Sequence, residues 1–280
     1  MKKVCITHPG SAHRDEFISC CLLLAAGIIH KILRREPTVA ELDDPNILVV
    51  DVGGQHCPEK GNYDHHQLPR DADPTCSLTL IMPLLGVSLK AARGIWNWFE
   101  FSEWLDSKGP YQTATHLGME PDALLAMVSP IETTILRWFE EHEEVVHGDL
   151  CYQLMERIGR EKLEYLMLVS ERLEFLDSHA TFNQNADESF WLDARCVPKD
   201  QNPVLGIEMF LQMEQKDCPI TVTNDDRGDG FAIFRRNDDH RVDLSKLEGW
   251  ADIVFAHRGG FIAKTRKDAD VAEMISASFV

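Results

Sequence analysis

Nowhere in the 280 residues is there an uncharged apolar run of the roughly 18 residues a membrane-crossing helix needs, so the sequence reads as soluble. The eight cysteines, at 5, 20, 21, 57, 76, 151, 196 and 218, form no C-x-x-C pair. That argues against a zinc knuckle and a secreted disulfide framework, and Cys20 and Cys21 read as small core residues of an apolar helix. Positive charge is scarce, with 28 Lys and Arg against 46 Asp and Glu and a net charge of −18. Such a surface repels polyphosphate backbones over a Debye length of roughly 8 to 10 Å. Long duplex nucleic acid is disfavoured as a partner, whereas a short phosphorylated substrate drawn in by metal ions and a few arginines is compatible. Met1-Lys2-Lys3 leads straight into apolar Val4-Cys5-Ile6, leaving no room for a signal peptide. A cytoplasmic location is the expectation.

What the chain does have is imidazole and carboxylate concentrated near its start. The stretch Thr7-His8-Pro9-Gly10-Ser11-Ala12-His13-Arg14-Asp15-Glu16 lies between Val4-Cys5-Ile6 and a long apolar run from Phe17 to Ile32. This predicts strand, tight loop and helix, a junction where open α/β folds place ligands at the carboxyl edge of a sheet. His8, His13 and Asp15 therefore read as half of a metal site. Next, Ile47-Leu48-Val49-Val50 predicts a buried strand ending in Asp51-Val52-Gly53-Gly54. A carboxylate taken alone into an apolar setting shifts its pKa or finds a cation, so Asp51 needs a partner. Asn62-Tyr63-Asp64-His65-His66-Gln67 has no apolar period of its own and adds ligands that suit divalent transition metals. Together these clusters hold more ligands than one ion needs.

The 44% hydrophobic fraction and the length allow two cores. The first helix is expected from Asp15 to about Arg35, with acids in its first turn, Lys31, Arg34 and Arg35 in its last, and Pro37 as its stop. A short strand near Val39 and the one from Ile47 to Val52 complete a β-α-β start that favours a parallel sheet. Pro74 to Leu85 and Leu89 to about Glu103 read as helices, with Trp96, Trp98 and Trp104 as core rather than as a stacking platform. Asp106 follows, ahead of Gly109-Pro110, and is either a ligand delivered into a cleft or a surface helix end. Residues 120 to 177 are strongly helical, and Glu140-Glu141-His142-Glu143-Glu144 is a solvated face. The periodicity lapses between Asp177 and Asp187, which divides the chain into residues 1–180 and 181–280. In the second part, 219–222, 231–234, 253–256 and 261–263 predict short strands, and 268–277 a closing helix. Arg235-Arg236 follows a strand, and His257-Arg258 precedes Gly259-Gly260, which lets a backbone approach a phosphate. A plain turn explains that Gly-Gly alone about as well. His30, His116, His142, His147 and His179 have no converging partners. The expected class is α/β, with an N-terminal parallel sheet flanked by helices and a smaller C-terminal α+β domain.

The set His8-x4-His13-x-Asp15, Val50-Asp51-Val52-Gly53-Gly54, Tyr63-Asp64-His65-His66 and His257-x-Gly259-Gly260-Phe261-Ile262 resembles the DHH phosphoesterase superfamily. Within it the chain is most similar to the branch named after the melanocyte-proliferating-gene product, whose eukaryotic members are described as RNA exonucleases. The likeness runs from Thr7 to about Asp270. It departs where that branch usually has His-Cys-Asp-Glu and this chain has His13-Arg14-Asp15-Glu16, and its Asp-Asn-Gly motif is met only loosely by Asp106-Ser107-Lys108-Gly109. The resemblance implies a DHH-type metal-binding catalytic domain with a helical extension over 1–180 and a substrate-binding domain over 181–280.

It also implies two divalent cations, one held by His8, His13 and Asp51, the other by Asp15, Asp51, His65 and Asp106. Imidazole and carboxylate without thiolate favour manganese, with magnesium or cobalt as alternatives. Asp51, Asp64, His65 and His66 would carry the chemistry, His66 facing a phosphate oxygen or the leaving group and Asp64 orienting a neighbouring imidazole. Arg235, Arg236, His257 and Arg258, with Gly259 and Gly260, would grip another phosphate. The implied activity is a metal-dependent phosphodiesterase, a 3'-5' exonuclease on short single-stranded RNA or oligonucleotides. Two alternatives stand beside it: a phosphohydrolase of pyrophosphate or a cyclic dinucleotide, and a catalytically weak nucleotide sensor. The expected partner is a short RNA or nucleotide, with no membrane and with room for a homodimer.

Overall fold

A computed structural model describes residues 3–280; Met1 and Lys2, on which the reading of the chain's start rests, lie outside the described residues. The chain divides into two compact units, Met1–Met167 and Leu168–Val280. The first carries, in order, β1 (Lys3–Thr7), α1 (Arg14–Ala25), β2 (Ile29–Arg34), α2 (Val39–Leu42), β3 (Ile47–Val50), β4 (His56–Cys57), β5 (Asn62–Tyr63), α3 (Ser77–Ile81), α4 (Leu89–Ile95), α5 (Phe99–His116), α6 (Pro121–Ala126), α7 (Pro130–Glu140) and β6 (Glu144–Val146). Then α8 (Leu150–His179) begins, and the change of unit falls inside it, between Met167 and Leu168.

The first sheet has the order β4-β5-β3-β1-β2-β6 and is mixed. Its centre is parallel, β1 pairing with β2 and β3, and β3 with β5, while β4 and β6 add antiparallel edges. The expected parallel sheet is thus its middle, and the antiparallel edges were not expected. There the strands are covered on both faces and consist of nearly continuous aliphatic residues, as buried parallel strands do. Because β1 and β3 lie side by side and run the same way, Thr7 pairs with Val50. The residues that follow them, His8 and Asp51, leave the sheet at one edge.

Three local expectations are corrected. The helix expected from Asp15 to Arg35 ends at Ala25, and Gly27, at φ 68, turns the chain into β2. The apolar run from Phe17 to Ile32 crosses both elements, so its hydrophobicity carries no mark of the switch. The strand expected near Val39 is instead the helical turn α2, opened by Thr38, whose hydroxyl accepts from the Glu41 amide while the Glu41 carboxylate accepts from the Thr38 amide. The helix expected from Leu89 to Glu103 is two, broken at Trp96, which takes an extended conformation and is buried with Phe99. From there α5 runs past Asp106 to His116, with an interruption at Gly109 (φ 75, ψ 170) ahead of Pro110.

α1 is buried on nearly every side, with Cys20, Cys21, Leu22 and Leu23 wholly inaccessible. α8 approaches it so closely that a Cβ on Gly159 would sit 1.9 Å from the Cys21 carbonyl oxygen.

The second unit adds β7 (Thr181–Gln184), β8 (Phe190–Asp193), α9 (Ile207–Glu214), β9 (Ile220–Asn224), β10 (Phe231–Arg235), β11 (Ile253–Ala256), β12 (Ile262–Thr265) and α10 (Val271–Ser278). Its sheet, β11-β12-β10-β9-β8-β7, is antiparallel except where β8 meets β9. One face of it is sealed by a core that includes Ile220, Val222, Ile233, Leu244, Met274 and Ile275. Together the two units make a mixed α/β protein with two mixed sheets. Among the described residues no single helix is long and apolar enough to cross a membrane.

Candidate metal centre

The loop after β1 and the start of α1 are tied together by a buried carboxylate, that of Glu16. Its Oε2 accepts from the Thr7 hydroxyl at 3.0 Å and lies 2.8 Å from His8 Nε2; its Oε1 accepts from the His13 amide at 3.3 Å and from Arg34 Nη2 at 3.2 Å. Arg34, reaching in from the end of β2, also donates to the Gly10 carbonyl at 3.0 Å. One acid thus clamps strand end, loop and helix start, and sets where both imidazoles stand. His8 is held at its other nitrogen by the Pro9 carbonyl, 2.8 Å from Nδ1.

Around this frame four more groups converge. Asp51 is buried at φ 64, a left-handed conformation that a non-glycine residue rarely adopts. Its amide donates to the Tyr63 carbonyl at 3.0 Å, which anchors the β3 end against β5. Asp51 Oδ2 lies 3.5 Å from His8 Nε2, and Oδ1 lies 3.1 Å from His65 Nε2, which is itself 3.0 Å from Asp106 Oδ2. His13 Nδ1 faces Asp106 Oδ1 at 3.5 Å. Asp15, wholly buried in the first turn of α1, turns its carboxylate to the start of α3, where the Ser77 amide and hydroxyl donate to Oδ2 at 3.1 and 2.6 Å. The open choice for Asp106 is resolved as far as placement goes: it points inward from α5 rather than out to solvent.

Six buried polar atoms here have no hydrogen-bond partner: His8 Nε2, Asp15 Oδ1, both carboxylate oxygens of Asp51, His65 Nε2 and Asp106 Oδ2. Several are within ion-pair distance of one another yet off the line of a hydrogen bond. Buried polar groups are otherwise almost always satisfied, so six such atoms gathered in one place make a site that could take metal ions. The donor set fits, being imidazole and carboxylate with no thiolate. Three triads have ligand atoms mutually within 4.8 Å: His8, His13 and Asp51; Asp51, His65 and His66; and His13, Asp15 and Asp106. Asp51 belongs to two of them. The second and third divide the ligands differently from the division the resemblance implies, with His66 joining Asp51 and His65, and His13 joining Asp15 and Asp106.

The charge state follows from this crowding. Burial pushes the carboxyls of Asp15 and Asp51 up, and the neighbouring carboxylates push the same way. Burial opposes protonation of His8 and His65, but Glu16 lifts His8 to about 9, while Asp106 and Asp51 lift His65 to about 10. Asp106 moves the other way: burial would raise it, but His13 and His65 hold it below the usual carboxylate range. Protons and cations would thus compete for the same buried charge.

Asp64 stands just outside the cluster. Its Oδ2 accepts from the Gly54 amide at 2.6 Å, and its Oδ1 from the His66 amide at 3.0 Å and lies 2.7 Å from His66 Nδ1. Although burial works against it, these bonds hold Asp64 down at about 2 and raise His66, whose ring is half exposed.

In the second unit, the arginines expected to grip phosphate are engaged with protein acceptors. Arg235 Nη2 meets Asp238 at 2.9 Å and the Gly259 carbonyl at 3.2 Å, and Arg236 makes a two-pronged pair with Glu208 at 2.9 and 2.7 Å. His257 Nδ1 accepts from the Gly259 amide at 3.0 Å, and its ring lies 4.0 Å from that of Phe261. Gly260 has φ 67, and a Cβ there would lie 2.3 Å from Asp243 Oδ1, so the turn itself requires glycine. Arg258 makes no hydrogen bond or ion pair among the described residues.

Sequence reasoning missed Glu16 as the organiser, treating it only as a charge favoured at a helix start. The His13-x-x-Glu16 spacing of a capping box was the available signal. Ser77, which fixes Asp15, had none.

Residues 4–77 match the model of a family described as MYG1_exonuc, uncharacterised protein family UPF0160. The MYG1 protein of Chlamydia pneumoniae is 40% identical over 68 residues, covering 23% of this chain and 22% of that one. The MYG1 exonucleases of Bos taurus and Rattus norvegicus are 40% identical over 68 residues and 44% over 64, covering 22% of this chain and 16% of theirs in each case. The chain thus spans about a fifth or less of the length of the curated relatives it matches. The matched segment holds every cluster residue except Asp106. No solved structure is matched.

Proposed function

We propose that this chain is a metal-dependent phosphodiesterase that trims short single-stranded RNA or oligonucleotides from the 3' end. The observation that carries the reading is the set of six orphaned buried atoms on His8, Asp15, Asp51, His65 and Asp106; the exonuclease names of relatives over the matched segment support it. His8, His13 and Asp51 would hold one divalent cation and Asp15, Asp51, His65 and Asp106 a second, with manganese the first choice. Bound there, such ions supply Lewis-acid chemistry, making water a better nucleophile at neutral pH and offsetting charge on a phosphoryl oxygen.

The chain's own residues do the rest. Asp51 faces His8 on one side and His65 on the other, so one carboxylate can serve both halves of the site. Glu16 and Ser77 keep His8 and Asp15 from turning away. Asp64, ionised well below neutral pH, faces His66 Nδ1 at 2.7 Å and favours the doubly protonated ring, whose Nε2–H would be the group that donates to a leaving-group oxygen. Arg258, without a protein acceptor, is the second unit's best remaining candidate for a phosphate contact.

The acidic surface favours a small substrate, which keeps a pyrophosphate or cyclic dinucleotide hydrolase as the second reading. A five-residue oligoribonucleotide, pyrophosphate and a cyclic dinucleotide, assayed side by side with Mn2+ against wild type and Asp51→Asn, separate the two. The oligonucleotide is expected to turn over, and Asp51→Asn to abolish it. Turnover of none of the three would leave a nucleotide-binding protein.

A further inference from the structure

Beside the cluster opens a cavity of about 540 Å³ that shares His13, Asp15 and Asp106 with it. Away from those residues its wall is apolar, with Phe101, Leu105, Leu124 and Leu136, and Leu125 and Val128 at the rim stay 47% and 61% exposed. Two charged groups interrupt the wall. The Arg14 guanidinium lies over the Phe101 ring, 4.6 Å from its centre, and is fixed in plane by a two-pronged pair with Glu132, Nη2 to Oε2 at 2.6 Å. The hollow therefore has cation-holding groups at one end, which the proposed ions would turn toward phosphate, then aliphatic walls and a flat hydrogen-bonding plate that pairs donor with acceptor.

A ligand matching all three needs a phosphate at one end and, a few ångströms away, a flat body with apolar faces and a polar edge. A hydrocarbon tail would set the outer edge of the Arg14–Glu132 pair, whose remaining donor and acceptor sites the pair itself does not use, against apolar chain. We infer that this cavity receives the nucleobase of the nucleotide whose phosphate lies at the cluster, with Arg14 and Glu132 reading its edge. The inference rests on the proposed phosphate-binding role of the cluster and adds that recognition extends to the base.

Titration calorimetry tests it without turnover. With Mn2+ present, the wild-type chain is expected to bind adenosine 5'-monophosphate about tenfold more tightly than ribose 5-phosphate, which lacks the base. Leu136→Trp, which fills the cavity, and Leu125→Glu, at an exposed rim position where folding is not at issue, are each expected to bring the two ligands within about twofold of each other. Both variants keep wild-type affinity for Mn2+ and ribose 5-phosphate. Equal binding of the two ligands by wild type overturns the inference while leaving the metal reading intact, provided Mn2+ and ribose 5-phosphate bind. Failure of Mn2+ itself to bind removes both. A Leu125→Glu chain that keeps the tenfold preference but sediments as monomer where wild type is a dimer assigns the apolar rim to a second copy, and overturns the inference as well.

Discussion

Asp51 combines three properties that rarely coincide in one residue: a left-handed backbone, full burial, and two carboxylate oxygens with no hydrogen bond. Each is unfavourable for a metal-free protein. Asp51→Asn keeps the shape and removes the charge, so it is expected to abolish both hydrolysis and the rise in Tm that Mn2+ gives the wild-type chain. Melts with and without Mn2+ check this, and a variant that still gains stability from Mn2+ as wild type does would take Asp51 out of the site. Glu16→Gln is expected to destabilise the chain itself. Arg34, nearly inaccessible, would face a neutral amide, the hydrogen bonds from the Thr7 hydroxyl and the His13 amide would weaken, and the ion-pair contact with His8 would be lost. Removing one side of a buried ion pair costs about 3 kcal/mol, readable as a fall in the urea midpoint.

Among the elements, α1 matters most because the cluster depends on where its first turn sits. Its position is set by α8 pressing on the far side, where Gly159 meets the Cys21 carbonyl. Gly159→Ala should gain helix propensity in isolation, yet the Cβ has no room. The expected outcome is a net loss of about 2 to 3 kcal/mol and weaker Mn2+ binding, as α1 is displaced. A stabilised variant would show that the two helices are not locked. α5 has a related task, since Asp106 reaches the site from the turn before the break at Gly109.

For the molecule as a whole, the charge pattern makes stability depend on pH and metal together. The folded-state values of His8 and His65, about 9 and about 10, exceed the unfolded 6.5. Their stabilising contribution is complete below pH 6.5 and is lost as pH rises through 9 and 10. Asp15 and Asp51, also raised, push the same way from a lower pH. The metal-free chain should therefore lose stability on the alkaline side. Because cations compete with those protons, the Mn2+-induced rise in Tm should grow between pH 6 and pH 9, a trend that melts in chelator and in Mn2+ would reveal; a rise that shrinks with pH contradicts the site. The net charge of −18 carries a further consequence: raising salt from about 50 to 200 mM should weaken oligonucleotide binding far less than for a basic nuclease, as measured by fluorescence anisotropy.

The sequence by itself determined which imidazoles and carboxylates were candidates to converge, since residue types and short spacings are local: His8, His13, Asp15, Asp51, His65 and His66 could all be named, as could the parallel pairing that brings the first two clusters to one edge. It also showed most strands of the second unit through their turns. It did not show the switch from α1 to β2, because one apolar run serves a buried helix and a buried strand alike. Only the tertiary structure decided that Asp106 turns inward, that Glu16 is the clamp, and that Arg235 and Arg236 are held by neighbouring acceptors. Those outcomes depend on which elements meet across the chain, as Ser77 meets Asp15 and Glu208 meets Arg236, and no spacing within a single segment encodes a contact of that kind.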